Sequence, residues 1–311
     1  MSGHADAMLN AADGTASATA AAPRRLSLCA DDFGQSAAIN AGILSLIGRG
    51  RLQATSVLSE GPDWGEGAVR LRDLHASPDA SLDVGLHLNL THPFPAATAA
   101  RPLSQWLLAS RLRLVSQREV RDSFLRQVEA FVRHFNRLPD YLDGHQHVHA
   151  FPVVRDAVME VIDRCWQGQG GADATVAEAA LRPWLRVPER LIGGDAAFKA
   201  WVLRVSTRGF GALADARRLR TSPAFGGLYS LQPQDGFEGR MKRWLREAPD
   251  RTLIMCHPGL TNPAAPDPSD PIAPARAVEY AYLASDAFSE DCVRSGVQLL
   301  RYSSLLDAAG H

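Results

Sequence analysis

Three of the chain's ten histidines fall within five residues, in the run Leu142-Asp143-Gly144-His145-Gln146-His147-Val148-His149-Ala150-Phe151-Pro152. Neutral imidazole is the commonest metal ligand, so this crowding points to a metal site. In an extended strand residues two apart share a face, which would align Asp143, His145, His147 and His149. A strand at the edge of a site bends into its loop, and then only one or two of these imidazoles converge on one ion. The competing reading is a polar loop with incidental histidines. A second signal is the adjacent pair Asp31 and Asp32. Neighbouring side chains at a strand end diverge, so one carboxylate can face an ion while the other faces a water as general base. A carboxylate with two imidazoles suits a borderline divalent ion such as zinc, with positions left open for water and substrate. Alternatively, the two aspartates serve the start of the following helix. His87 lies in an apolar run and reads as a ligand or as a satisfied core histidine. His257, before Pro258-Gly259, reads as a general acid, an orienting group or a histidine bonded to backbone.

The elements that must position these residues alternate. Leu26 to Ala30 reads as a buried strand ending at Asp31-Asp32-Phe33-Gly34. Ile39, Gly42, Ile43, Leu46 and Ile47 then recur at helical spacing, and Thr55 to Leu58 offers a second strand. From Ser81 to Leu90, Val84, Leu86, Leu88 and Leu90 take one face while Asp83, Gly85, His87 and Asn89 take the other, a strand with a polar face. Ser116 and Glu119 form a capping-box pattern opening a helix with Val120, Phe124, Val128, Phe131 and Phe135 in its stripe. Pro139 ends it, the histidine strand follows, and Pro152 fits the first turn of the next helix. Leu185 to Pro188 reads as a strand, 190–220 as mostly helical, Thr252 to His257 as a buried strand, and Val297 to Tyr302 as the last strand. Such alternation argues for a parallel sheet, doubly wound or closed into a barrel. Asp31, Asp32, His87, His145 and His257 all fall at or near C-terminal strand ends, where barrel enzymes assemble their sites, so the expected fold is α/β, a (β/α) barrel-like, TIM-barrel variant in a single domain. The proline-rich stretch from Thr261 to Pro274 reads as a long loop of the kind that contacts substrate.

Composition narrows the function. With 33 basic and 34 acidic residues the chain has a formal net charge of -1, which leaves no global field for nucleic acid or an anionic membrane. Cys29, Cys165, Cys256 and Cys292 form no CxxC pair, so neither a zinc ribbon nor a disulfide framework is indicated, and Cys29 and Cys256 read as buried hydrophobes in a reducing cytoplasm. Residues 1–23 are Ala-rich without a signal-peptide pattern and are expected to be a disordered tail before a domain over 24–311. No apolar stretch approaches the roughly 20 residues that span a bilayer. A soluble cytoplasmic protein is expected, with its oligomeric state open and a homodimer among the choices.

Ala30-Asp31-Asp32-Phe33-Gly34, Val84-Gly85-Leu86-His87-Leu88-Asn89-Leu90-Thr91, the histidine run and Met255-Cys256-His257-Pro258-Gly259 closely resemble the YdjC-like carbohydrate deacetylases. That family includes chitooligosaccharide deacetylases and hopanoid-associated enzymes. The four motifs stand in the family's order, and Gln53 to Ser56 and Arg276 with Glu279 are similar to weaker family features. The resemblance implies metal-dependent removal of an N-acetyl group from an amino sugar or oligosaccharide substrate. By motif, Asp32, His87 and His145 would hold a divalent ion, zinc or magnesium, Asp31 would be the general base, and His257 a catalytic acid or a support for the base. Arg186 resembles the family's arginine near the site and is expected to bind substrate, while His147 and His149 would orient His145. Gly144 departs from the Ser or Ala common there. Two other readings compete. An amidohydrolase-type barrel usually begins with a His-x-His strand, whereas here the first strand ends in Asp-Asp. A non-catalytic carbohydrate- or metal-binding protein would not need the extra carboxylate.

Overall fold

The computed structural model describes residues 22–76, 82–94, 100–166, 182–193, 196–262, 267 and 270–307. Residues 1–21 of the expected tail over 1–23, and residues 263–266 and 268–269 of the proline-rich stretch, lie outside the described residues. The strands are β1 (Arg24–Phe33), β2 (Ala54–Val57), β3 (Asp83–Leu88), β4 (Tyr141–Gly144), β5 (Trp184–Leu185), β6 (Ala224–Gly226), β7 (Thr252–Cys256) and β8 (Val297–Leu299). The helices between β1 and β5 are α1 (Ala37–Gly48), α2 (Trp64–His75), α3 (Leu103–Arg111), α4 (Gln117–Phe135) and α5 (Val154–Cys165). Beyond β5 come α6 (Ala197–Thr207), α7 (Phe210–Ala216), α8 (Phe237–Glu247), α9 (Ala273–Leu283), α10 (Asp286–Arg294) and α11 (Tyr302–Asp307).

The strand ladders are all parallel, in the order β5-β4-β3-β2-β1-β7-β6, with β8 paired to the start of β1. Isolated parallel bridges Leu185 to Thr221 and Leu191 to Phe225 join the two far ends, so the sheet is curled. A parallel sheet with both faces covered needs apolar residues on each side. Leu26, Leu28 and Ala30 of β1, Val84, Leu86 and Leu88 of β3 and Leu142 of β4 pack with Ile43, Phe124, Phe131 and Val158 of the helices. Their in-between neighbours point the other way, into the curl. There Cys29, Ala54, Tyr141, Trp184 and Leu253 pack with Tyr302 and Leu305 of α11.

Gly85 is required by this interior: a Cβ there would come within 2.3 Å of the Tyr141 ring. Ser116 caps α4 by accepting from the Glu119 amide, as its capping-box pattern indicates, and Asn136 closes the helix in the left-handed conformation.

Three local expectations need correction. β1 does not stop before Asp31 but runs to Phe33, with an irregularity in its pairing to β2. The histidines do not continue a strand: β4 ends at Gly144, and His145–Ala150 forms a tight 3-10 turn with left-handed φ of 53° at Gln146 and 62° at His147. Pro152 lies outside the helix it was expected to open, because α5 begins at Val154.

Candidate active site

The irregularity in β1 has a chemical consequence. Ala30 pairs with Thr55 and Phe33 with Val57, so β1 advances three residues while β2 advances two. This is a bulge, which lets two adjacent side chains share a face. Asp32 carries the distortion with φ of 72°, a left-handed conformation that costs a non-glycine residue about 1–3 kcal/mol. Asp31 and Asp32 therefore do not diverge, and both line one cavity of about 530 Å³ with His87, His145, His147 and His257.

Asp32 Oδ1 is where the imidazoles converge. His145 Nδ1 lies 3.1 Å from it and His87 Nε2 3.6 Å. Among the described residues, Asp32, His87 and His145 form a group whose potential ligand atoms all lie within 4.8 Å of one another. Such separations suit neighbouring ligands of one ion with bonds of about 2.0–2.2 Å. His87 is further prepared for that role because its Nδ1 lies 2.7 Å from Asp143 Oδ1. With the proton on Nδ1, the carboxylate fixes the ring and leaves the Nε2 lone pair directed at Asp32.

Asp31 is held differently. Arg186 Nη1 and Nη2 donate at 2.7 Å to its two oxygens, and Nη2 also lies 2.8 Å from Asp143 Oδ2. Cys29, Asp31 and Asp143 would by donor type be a second metal cluster, but the Arg186 guanidinium already supplies the positive charge among them, donating to Cys29 Sγ at 3.0 Å. Arg186, expected to bind substrate, has no exposed surface and lies beneath Asp31, so its reach is to the carboxylates and not to the cavity. Burial alone would raise the Asp31 carboxyl, yet Arg186, with help from His87, holds it well below the ordinary range. Burial likewise opposes ionisation of Asp32, and Arg276, whose Nη2 donates to Oδ2 at 2.7 Å, overrides it. For His87, burial disfavours the charged ring but Asp143 and Asp31 more than compensate and raise its pKa.

His257 follows β7 on the same rim. Its Nε2 is 4.0 Å from Asp31 Oδ2, and Glu279, fully buried, accepts from its backbone amide and from the Tyr229 hydroxyl at 2.6 Å. His149 does not reach His145: its Nε2 lies 3.0 Å from the Arg186 carbonyl, so it steadies the segment that carries the arginine. Burial pushes His149 down to about 4, and burial beside Arg186 pushes His147 well below the ordinary histidine value. A Cβ on Gly144 would stand 3.0 Å from the Cβ and Nδ1 of His149, so glycine there is part of how this turn packs.

What the sequence does not assign are the supporting roles: Asp143 for His87, Arg276 for Asp32, and Ser56, which donates to Asp143 Oδ2 at 2.6 Å. Asp143 did carry a signal, sharing its alternation with His145. Arg276 stands out only through the family resemblance; it and Asp270, paired at 2.7 Å, lie far from Asp32 in the chain, so spacing gives no sign of the contact.

Comparison with known proteins adds to this geometry. Residues 25–294 match the protein family described as YdjC-like protein. The chain is 33% identical over 138 residues to a chitooligosaccharide deacetylase of Salmonella schwarzengrund (strain CVM19633), an alignment covering 42% of this chain and 52% of that protein. An alignment of the same identity and extent relates it to the chitooligosaccharide deacetylase of Proteus mirabilis (strain HI4320). The match thus spans about half the length of these two bacterial relatives. The carbohydrate deacetylase of Mus musculus is 29% identical over 261 residues, covering 76% of this chain and 78% of that one. A crystal structure from Enterococcus faecalis V583, named for cellobiose-phosphate cleavage, shares the fold with a TM-score of 0.64 at 20% identity, over 92% of this chain and 100% of that chain.

Proposed function

Since this chain belongs to the YdjC-like protein family, we propose that it hydrolyses an N-acetyl group from an amino sugar or chitooligosaccharide-like carbohydrate with the help of a divalent metal ion. The observation that carries the proposal is the convergence of Asp32, His87 and His145 beside a separately held carboxylate, Asp31, on one cavity floor. We read the curled sheet around it as a variant of the (β/α) barrel, a reading supported by the two bridges between its ends.

Asp32, His87 and His145 would hold the ion, zinc or magnesium. The chemistry supplied there when it is bound is Lewis-acid polarisation of the acetamide carbonyl. Asp31 takes the proton from the attacking water; Arg186 keeps it ionised and aimed, and Oδ2, which accepts only from Arg186 Nη1, retains a free lone pair. His257, whose Nε2 lies 4.0 Å from Asp31 Oδ2, gives a proton to the departing amine. Arg186 and Asp143 act from below, tying the base to the ring of His87 in one buried chain of charge-assisted bonds. Leu103, Leu107, Val202 and Leu228 give the cavity an apolar wall.

The test is acetate release from N-acetylglucosamine and its oligomers, before and after treatment with a chelator. We expect release that the chelator abolishes and added zinc or magnesium restores. Release indifferent to thorough metal removal would sink the metal assignment, and no release from any acetylated amino sugar would sink the reaction.

A further inference from the structure

His147 is the one member of the histidine run whose ring has neither a protein hydrogen bond nor a place among the proposed metal ligands. It is 8% exposed and lines the cavity, and the consecutive left-handed residues Gln146 and His147 set the backbone that presents it there. The ring packs edge-on against Phe225, with centroids 5.4 Å apart, which fixes its plane. Its Nδ1 is sealed from solvent without a partner among the described residues. A neutral imidazole carries one proton. On Nδ1 that proton would have no acceptor; on Nε2 it faces open cavity and can be given to a ligand. His149 follows the same logic, with Nδ1 unpartnered and Nε2 directed to the Arg186 carbonyl. The acceptor for His149 is built into the fold, whereas His147, which lines the cavity, must find its acceptor in a ligand.

We propose that His147 is a substrate-binding residue whose Nε2–H donates a hydrogen bond to a hydroxyl or carbonyl oxygen of the acetylated sugar. The assignment rests on the deacetylase reading above. It accounts for why a buried ring is packed against Phe225 at a left-handed backbone position, on the wall of the cavity that Asp31 also lines.

The experiment compares wild type with His147→Phe, His147→Gln and His147→Asn in the full-length, metal-supplemented protein, with N,N′-diacetylchitobiose as probe. Phe keeps the packing on Phe225 and removes the donor. The amide nitrogen of Gln can reach the position of Nε2, while that of Asn falls near Nδ1. We expect kcat/KM to drop roughly tenfold in His147→Phe, as loss of one neutral hydrogen bond implies. The drop should lie mainly in KM, with metal content by elemental analysis unchanged. His147→Gln should recover most of it and His147→Asn little. Undiminished kcat/KM in His147→Phe overturns the assignment, as does a loss that tracks metal content, which would make the residue a support for His145. Recovery by Asn and not Gln overturns it too. If wild type releases no acetate the deacetylase reading itself fails; equal calorimetric affinity of wild type and His147→Phe for the probe, including none, then overturns the donor as well.

Discussion

The two ends of the sheet's interior are built from the same strands and by opposite means. At the N-terminal end, Tyr141 stacks on Trp184 with ring centroids 4.0 Å apart, Tyr302 of α11 closes over Trp184 at 4.7 Å, and Leu305 fills the remainder. Its polar groups sit at the margin: Tyr302 donates to the Arg251 carbonyl, and the buried carboxylate of Asp83 accepts from Arg301 and from the Ser303 amide. At the C-terminal end the same inward positions hold Asp31, His87, Asp143, Arg186 and His257, with left-handed backbone at Asp32, Gln146 and His147. The aromatic end gains stability by burying area. The polar end gives some of it back as desolvated charge and backbone strain, offset by the ion pairs that join Asp31, Arg186, Asp143 and His87. A fold can support such a floor only where another region supplies the surplus, which is the role of the aromatic cluster closed by Tyr302 and Leu305 and of the helix-facing layer.

The sharpest way to break this division is at Asp31. Asp31→Asn keeps the shape and one oxygen for Arg186 but removes the proton acceptor. We expect a loss of about 10²- to 10⁴-fold in acetate release, the span of a general base. Metal content should persist, because Asp32, His87 and His145 are untouched. Near-native turnover would move the base elsewhere. The complementary substitution is Tyr302→Ala at the other end. Removing a fully buried aromatic ring from the stack should cost about 3–5 kcal/mol, seen in a lower denaturation midpoint. Its kcat/KM, measured well below the unfolding transition, should stay within a few-fold of wild type. If the rate fell as far as in Asp31→Asn while the protein stayed folded, the two ends would not be separable.

How much of this could be read along the chain follows the same division. Period-two alternation in β3 placed His87 inward opposite Val84, Leu86 and Leu88, and strand ends named Asp31, Asp32, His145 and His257, because each depends on neighbours a few residues away. What alternation could not show was the bulge, since a regular strand would have sent Asp31 and Asp32 to opposite faces, or the turn that takes His147 and His149 off the expected strand. Nor could it separate Arg186 as a buried clamp from Arg186 as a substrate contact. Its partner Asp31 lies 155 positions away, and only the curl of the sheet brings them together. β6, at three residues, is too short to carry a period at all.

The smallest expected effect probes the seam between the two regions, at His149. The folded protein holds this ring neutral, its pKa lowered by burial from 6.5 to about 4. Between those values the unfolded chain binds a proton that the folded protein refuses. Unfolding is therefore favoured as pH falls from 6.5 toward 4, and the loss levels off below that. At about 1.4 kcal/mol per unit the full window is worth roughly 3 kcal/mol, an upper bound for a single site. His149→Gln retains an amide donor that can reach the Arg186 carbonyl but does not titrate. Urea unfolding of both proteins at pH 7 and pH 4.5 should show the variant losing less stability on acidification. The opposite shift of His87 and the depressed carboxyls of Asp31 and Asp32 are present in both proteins, so they cancel in the comparison. Equal acid sensitivity would mean that His149 is protonated at little cost, and that the layer beneath Arg186 is wetter than its burial indicates.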